Sequence, residues 1–407
     1  AVVVVPAKVV VATVEACAAK GVRGVGVSSA GGKEVNEEGA AREARLKEIV
    51  RAHGMRLVGP NCLGVLSTAP DVRLDATFAP TYPPEGNVAI ASQSGALGVA
   101  ILDYTRSFNI GVSDFVSIGN KADVSSNDLV QWWDADPRTK VMLLYLESFG
   151  NPRKFTRLAR EITRRKPIVA VKSGRTRRGM TAATSHTGAL AGADVAVDAL
   201  FAQTGIIRVD TVEELFDMAA FLAYQPIPKG SRVAILTNAG GPGILATDAC
   251  EAQGLEVSDL SESTTARLHE FLPPEASVRN PVDMIASATA QNYERATRAL
   301  LADPKIDALI ALFVPPIVTE PREVARGIVN GSAGTEKPVL TCFLGKHGVP
   351  EGLRSLKEGN IPSYAFPESA VRVLGRAVRH GQWMAKAPGR EIAFDDVRAA
   401  DAAAVFA

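Results

Sequence analysis

A chain of 407 residues is too long for one hydrophobic core and predicts two or three domains. Apolar residues make up 46% and charged residues 22%, the mix of an ordinary globular protein rather than a disordered or fibrous one. The net charge of +1 excludes a broad nucleic-acid footprint or an anionic membrane surface, so any anion must be held by local geometry.

The pattern along the chain is that of an α/β fold. Short β-branched runs at residues 2–5, 22–28, 56–58, 88–91, 141–146, 167–171, 232–236, 308–313 and 338–343 predict strands of parallel sheets. Amphipathic stretches such as 40–52 and 152–164 predict the helices between them. An apolar strand at the very start leads us to expect a further segment upstream, and residues 385–407 read as a linker. Proline and glycine cluster near 80–86 and 226–230 and set the expected boundaries: a partial first domain over 1–85, then 86–228 and 229–384. No apolar run approaches the roughly 18 residues that a membrane span needs. The four cysteines, Cys17, Cys62, Cys250 and Cys342, have no paired or metal-ligand spacing, which predicts a reduced, cytoplasmic compartment.

The chain repeats itself. Asn87-Val-Ala-Ile-Ala-Ser-Gln-Ser-Gly-Ala-Leu-Gly98 aligns with Arg232-Val-Ala-Ile-Leu-Thr-Asn-Ala-Gly-Gly-Pro-Gly243, and Lys166-Pro-Ile-Val-Ala-Val-Lys-Ser-Gly174 with Lys337-Pro-Val-Leu-Thr-Cys-Phe-Leu-Gly345. Two copies of one doubly wound domain are therefore expected. In each, a strand runs through a small-residue turn into a helix, whose first N–H groups and positive dipole end suit an anion. The candidate phosphate-binding residues are Ser92, Gln93, Ser94 and Gly95 in one turn, and Ala239, Gly240, Gly241 and Gly243 in the other. Neither turn is a Walker loop or a clean dinucleotide fingerprint. His186 lies in a long small-residue loop, flanked by Ser185 and Thr187, while Glu147 ends the strand predicted at 141–146.

Six motifs in order carry a resemblance: Gly59-Pro-Asn-Cys-Leu-Gly64, Ser92-Gln-Ser-Gly-Ala-Leu-Gly98, Leu146-Glu-Ser148, Ser185-His-Thr-Gly-Ala-Leu-Ala-Gly192, Asn238-Ala-Gly-Gly-Pro-Gly243 and Asn280-Pro-Val-Asp-Met284. The chain resembles the NDP-forming acyl-CoA synthetases, the superfamily of succinyl-CoA synthetase and ADP-forming acetyl-CoA synthetase. The resemblance implies a partial Rossmann-like CoA-binding domain followed by two flavodoxin-like parallel-sheet domains. It also implies a reaction in which acyl-CoA and phosphate give an acyl phosphate and free CoA, histidine takes the phosphoryl group, and ADP receives it. In this sequence the phosphorylated histidine falls on His186 and its carboxylate partner on Glu147. Pro6, Lys8, Asn61, Cys62, Asn120 and Lys121 fall on the CoA and acyl-substrate side, although Cys62 reads better as a small core residue than as an acyl acceptor. No metal ligands are expected on this chain. Mg-ATP or Mg-ADP belongs to an ATP-grasp module, a β-type subunit or further domain that this sequence lacks, and a homo-oligomer is compatible with everything above. The rival reading is a ligand-sensing, synthetase-like module fused to a lysine acetyltransferase.

Overall fold

A computed structural model describes residues 1–176, 178–179, 181, 194–317, 319–345 and 349–387, with isolated positions at 389, 396, 398, 401 and 404–405. The described strands form three sheets. The first is all parallel, β1 (Val2–Val3), β2 (Gly24–Val27) and β3 (Arg56–Val58), joined through α1 (Val10–Ala19) and α2 (Glu37–Ala52). Asn36 caps α2 by accepting from the Gly39 N–H, with Glu37 and Glu38 following in the dipole-favoured first turn. Val3, Val14, Val27, Leu46 and Leu57 fill the core between these elements.

The second sheet has seven strands in the order β10-β9-β8-β6-β7-β4-β5. These are β4 (Gly64–Ser67), β5 (Leu74–Thr77), β6 (Glu85–Ser92), β7 (Val112–Ser117), β8 (Val141–Leu146), β9 (Ile168–Lys172) and β10 (Ile207–Val209). Its helices are α3 (Gly95–Ser107), α4 (Ser126–Ala135), α5 (Pro152–Ile162), α6 (Asp194–Thr204) and α7 (Val212–Tyr224). β4 and β5 precede the boundary expected at 80–86, yet they pair into this sheet as an antiparallel edge on a parallel core. β7 was hidden in the sequence by Ser113, Asp114 and Ser117, all buried. Burial is tolerable because Ser113 Oγ meets Thr139 Oγ1 at 2.8 Å and Asp114 pairs with Arg138.

The third sheet repeats the middle of the second. Its order is β12-β11-β13-β14, from β11 (Val233–Thr237), β12 (Val282–Asp283), β13 (Ala308–Phe313) and β14 (Val339–Phe343). Laid on the second sheet, these match β7-β6-β8-β9, as the duplicated sequence requires. The accompanying helices are α8 (Gly240–Ala252), α9 (Glu262–His269), α10 (Ala290–Ala302), α11 (Pro321–Gly331), α12 (Val349–Glu358) and α13 (Pro367–Ala385). The two larger sheets share one apolar cluster: Leu215, Phe216 and Phe221 of α7 meet Val371, Leu374 and Val378 of α13.

That seam also fixes relative orientation. Lys357 Nζ at the C-terminal end of α12 donates to Arg106 O at the C-terminal end of α3, 3.4 Å away. Val339 N, opening β14, donates to Gln225 Oε1 just after α7. Both α3 and α12 run back from the carboxyl edges of their sheets, so the amino edges meet here. No helix among the described residues is long and apolar enough to cross a membrane.

Candidate active site

Open parallel sheets bind ligands beyond the carboxyl ends of their strands. Three such edges are available, and the candidate residues distribute over them. At the first sheet, Pro6 precedes the short 3-10 turn Ala7–Val9 after β1, and Lys8 is exposed there. Ser29, following β2, ties this segment down: its hydroxyl donates to Val5 O at 2.6 Å and accepts from Val5 N at 3.1 Å. Asn61, following β3, donates its N–H to Ser29 O at 3.0 Å. Its φ of 57° lies in the left-handed region, where asparagine is among the best-tolerated side chains. Pro6, Lys8 and Asn61 thus gather at one edge.

Cys62 does not join them. It is 2% exposed, with its thiol 3.3 Å from Val27 O, and burial pushes its pKa up to about 12. A thiol so protonated and enclosed is no acyl acceptor. Burial pushes Cys250 up to about 12 as well and Cys342 further, whereas Cys17 is partly exposed. With a colorimetric disulfide reagent at pH 8, one thiol of the four is expected to react within minutes. Rapid reaction of two or more in the folded protein would contradict the burial described here.

Asn120 and Lys121 belong to the turn that joins the first and second sheets. Gly119, at φ 50°, allows the turn to press onto Pro60 O, where a Cβ would stand at 2.3 Å. The Asn120 amide was expected to face substrate. Instead it donates to Glu34 and to Glu43, the latter at 3.0 Å, and so ties the second sheet to a buried carboxylate of the first domain. Lys121 Nζ donates to Ser148 O at 2.7 Å and Ser148 Oγ at 2.8 Å, next to Glu147. Burial, with Lys33 and Lys172 nearby, lowers its pKa to about 8 despite the opposing pull of Glu147.

This shift has a testable sign. Unfolded, the lysine titrates near 10.5, so between pH 8 and 10.5 the unfolded chain holds the extra proton and rising pH favours the fold. The contribution is complete above the unfolded value and lost as pH falls through 8. Relative to Lys121→Met, wild type is expected to gain roughly 2–3 kcal/mol between pH 7 and pH 10 in urea titrations. Parallel pH profiles for the two proteins would contradict it.

The two glycine-rich turns have the same internal wiring. In the first, Ser92 Oγ donates to Ser94 O at 2.7 Å, and Ser94 caps α3 by accepting from Leu97 N. In the second, Thr237 Oγ1 donates to Ala239 O at 2.9 Å, and Ala239 precedes α8. The Ser92 hydroxyl, expected to reach an anion, is therefore committed within its own turn.

Gln93 is likewise a clamp rather than an anion donor. Its Oε1 accepts from Glu147 N at 2.8 Å and Ser148 N at 3.0 Å, and its Nε2 donates to Ser148 Oγ at 3.1 Å. The equivalent Asn238 accepts from Val314 N at 2.9 Å and donates to Val314 O at 2.8 Å. In both domains an amide side chain locks the turn to the loop after the neighbouring strand, β8 or β13. What remains for an anion is the backbone of each first helical turn. Gly95 is partly exposed; Gly240 and Gly241 are exposed, and a Cβ on Gly241 would meet nothing within 4 Å. Gly243 is buried against Thr237 Cγ2 and serves packing. The Asp283 carboxylate lies beside Gly240 and already answers part of the dipole of α8.

Glu147 sits at the carboxyl end of β8, 8% exposed, held through its own N–H by Gln93. Around it stand Ser148, Lys121 and Lys172, the last 3% exposed with its pKa lowered mainly by burial. His186 lies outside the described residues. Lys172, Ser148 and Asn238 escaped the sequence-based candidates. Their signals were a lone lysine closing an apolar strand, and the alignment of Asn238 with Gln93. Among the described residues no group of three or more acidic, histidine or cysteine side chains is arranged to hold a metal.

Known proteins sharpen this geometry. A CoA binding domain model matches residues 1–68, a succinyl-CoA ligase like flavodoxin domain matches 85–222, and a Ligase-CoA domain matches 233–388. The alpha subunit of ADP-forming acetate–CoA ligase II of Pyrococcus furiosus is 43% identical over 375 residues, covering 91% of this chain and 81% of its own. The chain belongs to the ADP-forming acetyl-CoA synthetase alpha subunits. The fold is shared too: a Ca. Korarchaeum cryptofilum dinucleotide forming acetyl-coenzyme A synthetase 1, solved with phosphate and ADP, superposes with a TM-score of 0.89 at 39% identity, covering 94% of this chain and 82% of that one. The ADP-forming 4-hydroxybutyrate–CoA ligase of Nitrosopumilus maritimus is 37% identical over 395 residues, and this chain spans 56% of its length. As a member of this family the chain is an ADP-forming acid–thiol ligase subunit with a CoA-binding domain and two parallel-sheet ligase domains.

Proposed function

We propose that this subunit carries the acyl-phosphate and phosphohistidine steps of acyl-CoA interconversion, with His186 as the phosphoryl carrier and Glu147 as its partner. The observation behind this is the buried Glu147, fixed at a carboxyl edge by the same turn that opens α3, with a twin turn of matching construction opening α8 in the duplicated sheet.

CoA lies along the edge marked by Pro6, Lys8 and Asn61. A phosphate oxygen attacks the thioester carbonyl, the C–S bond breaks, and the CoA sulfur leaves as thiolate. One imidazole nitrogen of His186 then attacks phosphorus and the carboxylate departs. Finally a β-phosphate oxygen of ADP attacks phosphorus, the P–N bond breaks and ATP forms. Glu147 accepts a hydrogen bond from the second imidazole nitrogen, which fixes the tautomer and offsets the positive charge of the phosphorylated ring. The first turns of α3 and α8 stabilise the moving dianion through N–H groups and dipoles. ADP and its magnesium sit on a β-type, ATP-grasp partner subunit.

Incubation with that partner and γ-labelled ATP is expected to leave acid-labile, base-stable phosphate on one peptide, that containing residues 185–192. Acid-stable label on a hydroxyl residue, or label elsewhere, would overturn the assignment.

A further inference from the structure

At the amino edges of the ligase sheets, away from Glu147, a cavity of about 440 Å³ opens between β10 and the C-terminal half of α13. Its lining brings Arg208, Arg376, Arg379 and Lys386 together; Arg208 is paired with Asp194 and Asp198 and Arg376 with Glu214, whereas Arg379 and Lys386 have no carboxylate partner among the described residues. The two unpaired cations at the mouth leave the cavity net positive. Arg379 stands at the mouth, where partial burial and the charge of Arg376 lower its pKa.

Two side chains one turn apart on α13 point to what is missing. Arg376 donates through Nη2 to Glu214 Oε2 at 3.0 Å, while its buried Nη1 has no partner. His380 is 3% exposed, and its Nδ1 lies 3.0 Å from Gly205 O. That contact requires the proton on Nδ1, leaving the buried Nε2 as an acceptor, also without a partner. Trp383, flat against Gly205, closes the floor.

We propose that this cavity is a second anion site, taking a phosphate-bearing small molecule apart from the phosphoryl path at the carboxyl edges. A monoprotonated phosphate group supplies both missing partners: its anionic oxygens accept from Arg376 Nη1, and its P–OH donates to His380 Nε2. The surrounding cations balance its charge. Arg208 also holds Asp194 and Asp198 of α6, so an anion competing for Arg208 bears on the helix that directly follows the His186 segment.

The test uses the full chain and the double variant Arg379→Gln/Lys386→Gln, both changes lying at the exposed mouth. Crystals soaked in tungstate, a phosphate mimic visible by anomalous scattering, are expected to show a peak between Arg376 and His380 that the double variant lacks. In calorimetric titrations with inorganic phosphate, pyrophosphate and ADP, the variant is expected to lose roughly tenfold or more in affinity for at least one, the loss typical of removing charge-assisted contacts. The anion with the largest loss identifies the occupant. Tungstate at the carboxyl-edge turns but absent here, or identical affinities of both proteins for all three anions, would overturn the site.

Discussion

Replacing His186 by alanine is expected to abolish phosphoryl uptake from ATP altogether, and replacing Glu147 by glutamine to slow it by about 10²–10⁴-fold with little change in melting temperature. The first effect follows from removing the only proposed nucleophile. The second follows from exchanging an anion for a neutral amide of the same shape, at a position where the backbone is held independently by Gln93. An amide can still meet the imidazole, but it can present its NH₂ and favour the wrong tautomer, and it does nothing to offset the ring's charge. Rapid-quench labelling of the three proteins with the nucleotide-binding partner gives the rates directly. Equal labelling of wild type and Glu147→Gln would remove the carboxylate from the mechanism, and labelled His186→Ala would remove the relay itself.

The second large effect concerns stability. Gln93→Leu fills much the same volume but leaves the buried N–H groups of Glu147 and Ser148 without their acceptor. Each orphaned donor costs about 1–3 kcal/mol, so a loss of roughly 2–6 kcal/mol is expected in denaturant titrations. In Gln93→Glu the carboxylate can still accept from both N–H groups, so most of the stability should return. A Gln93→Leu protein as stable as wild type would show that the clamp contributes nothing.

The duplication was legible in the sequence because strand, small-residue turn and helix leave a pattern that survives substitution. Ser92-Gln93 aligned with Thr237-Asn238, and the structure gives the two hydroxyls the same bond and the two amides equivalent partners in the loop after the neighbouring strand. Cys62 was legible as a core residue from its small size alone. What sequence could not reveal was the direction of polar side chains. Ser92 and Gln93 have the chemistry of anion donors, and only the positions of Ser94 O and of the Glu147 and Ser148 N–H groups show those capacities already taken. Asn120 is the same case, since Glu34 and Glu43 lie more than 70 positions away. β4 and β5 were missed for another reason: each has only four residues, and β5, the edge strand, buries none of them fully, so neither run is long enough in sequence to read as a strand.

The apolar seam between α7 and α13 carries a consequence for how this protein can be handled. Severing the chain near residue 228 would part Leu215 and Phe221 on one fragment from Val371, Leu374 and Val378 on the other, while Phe216 would keep its stacking on Phe108. Each half cut there is expected to be less stable alone than within the intact pair.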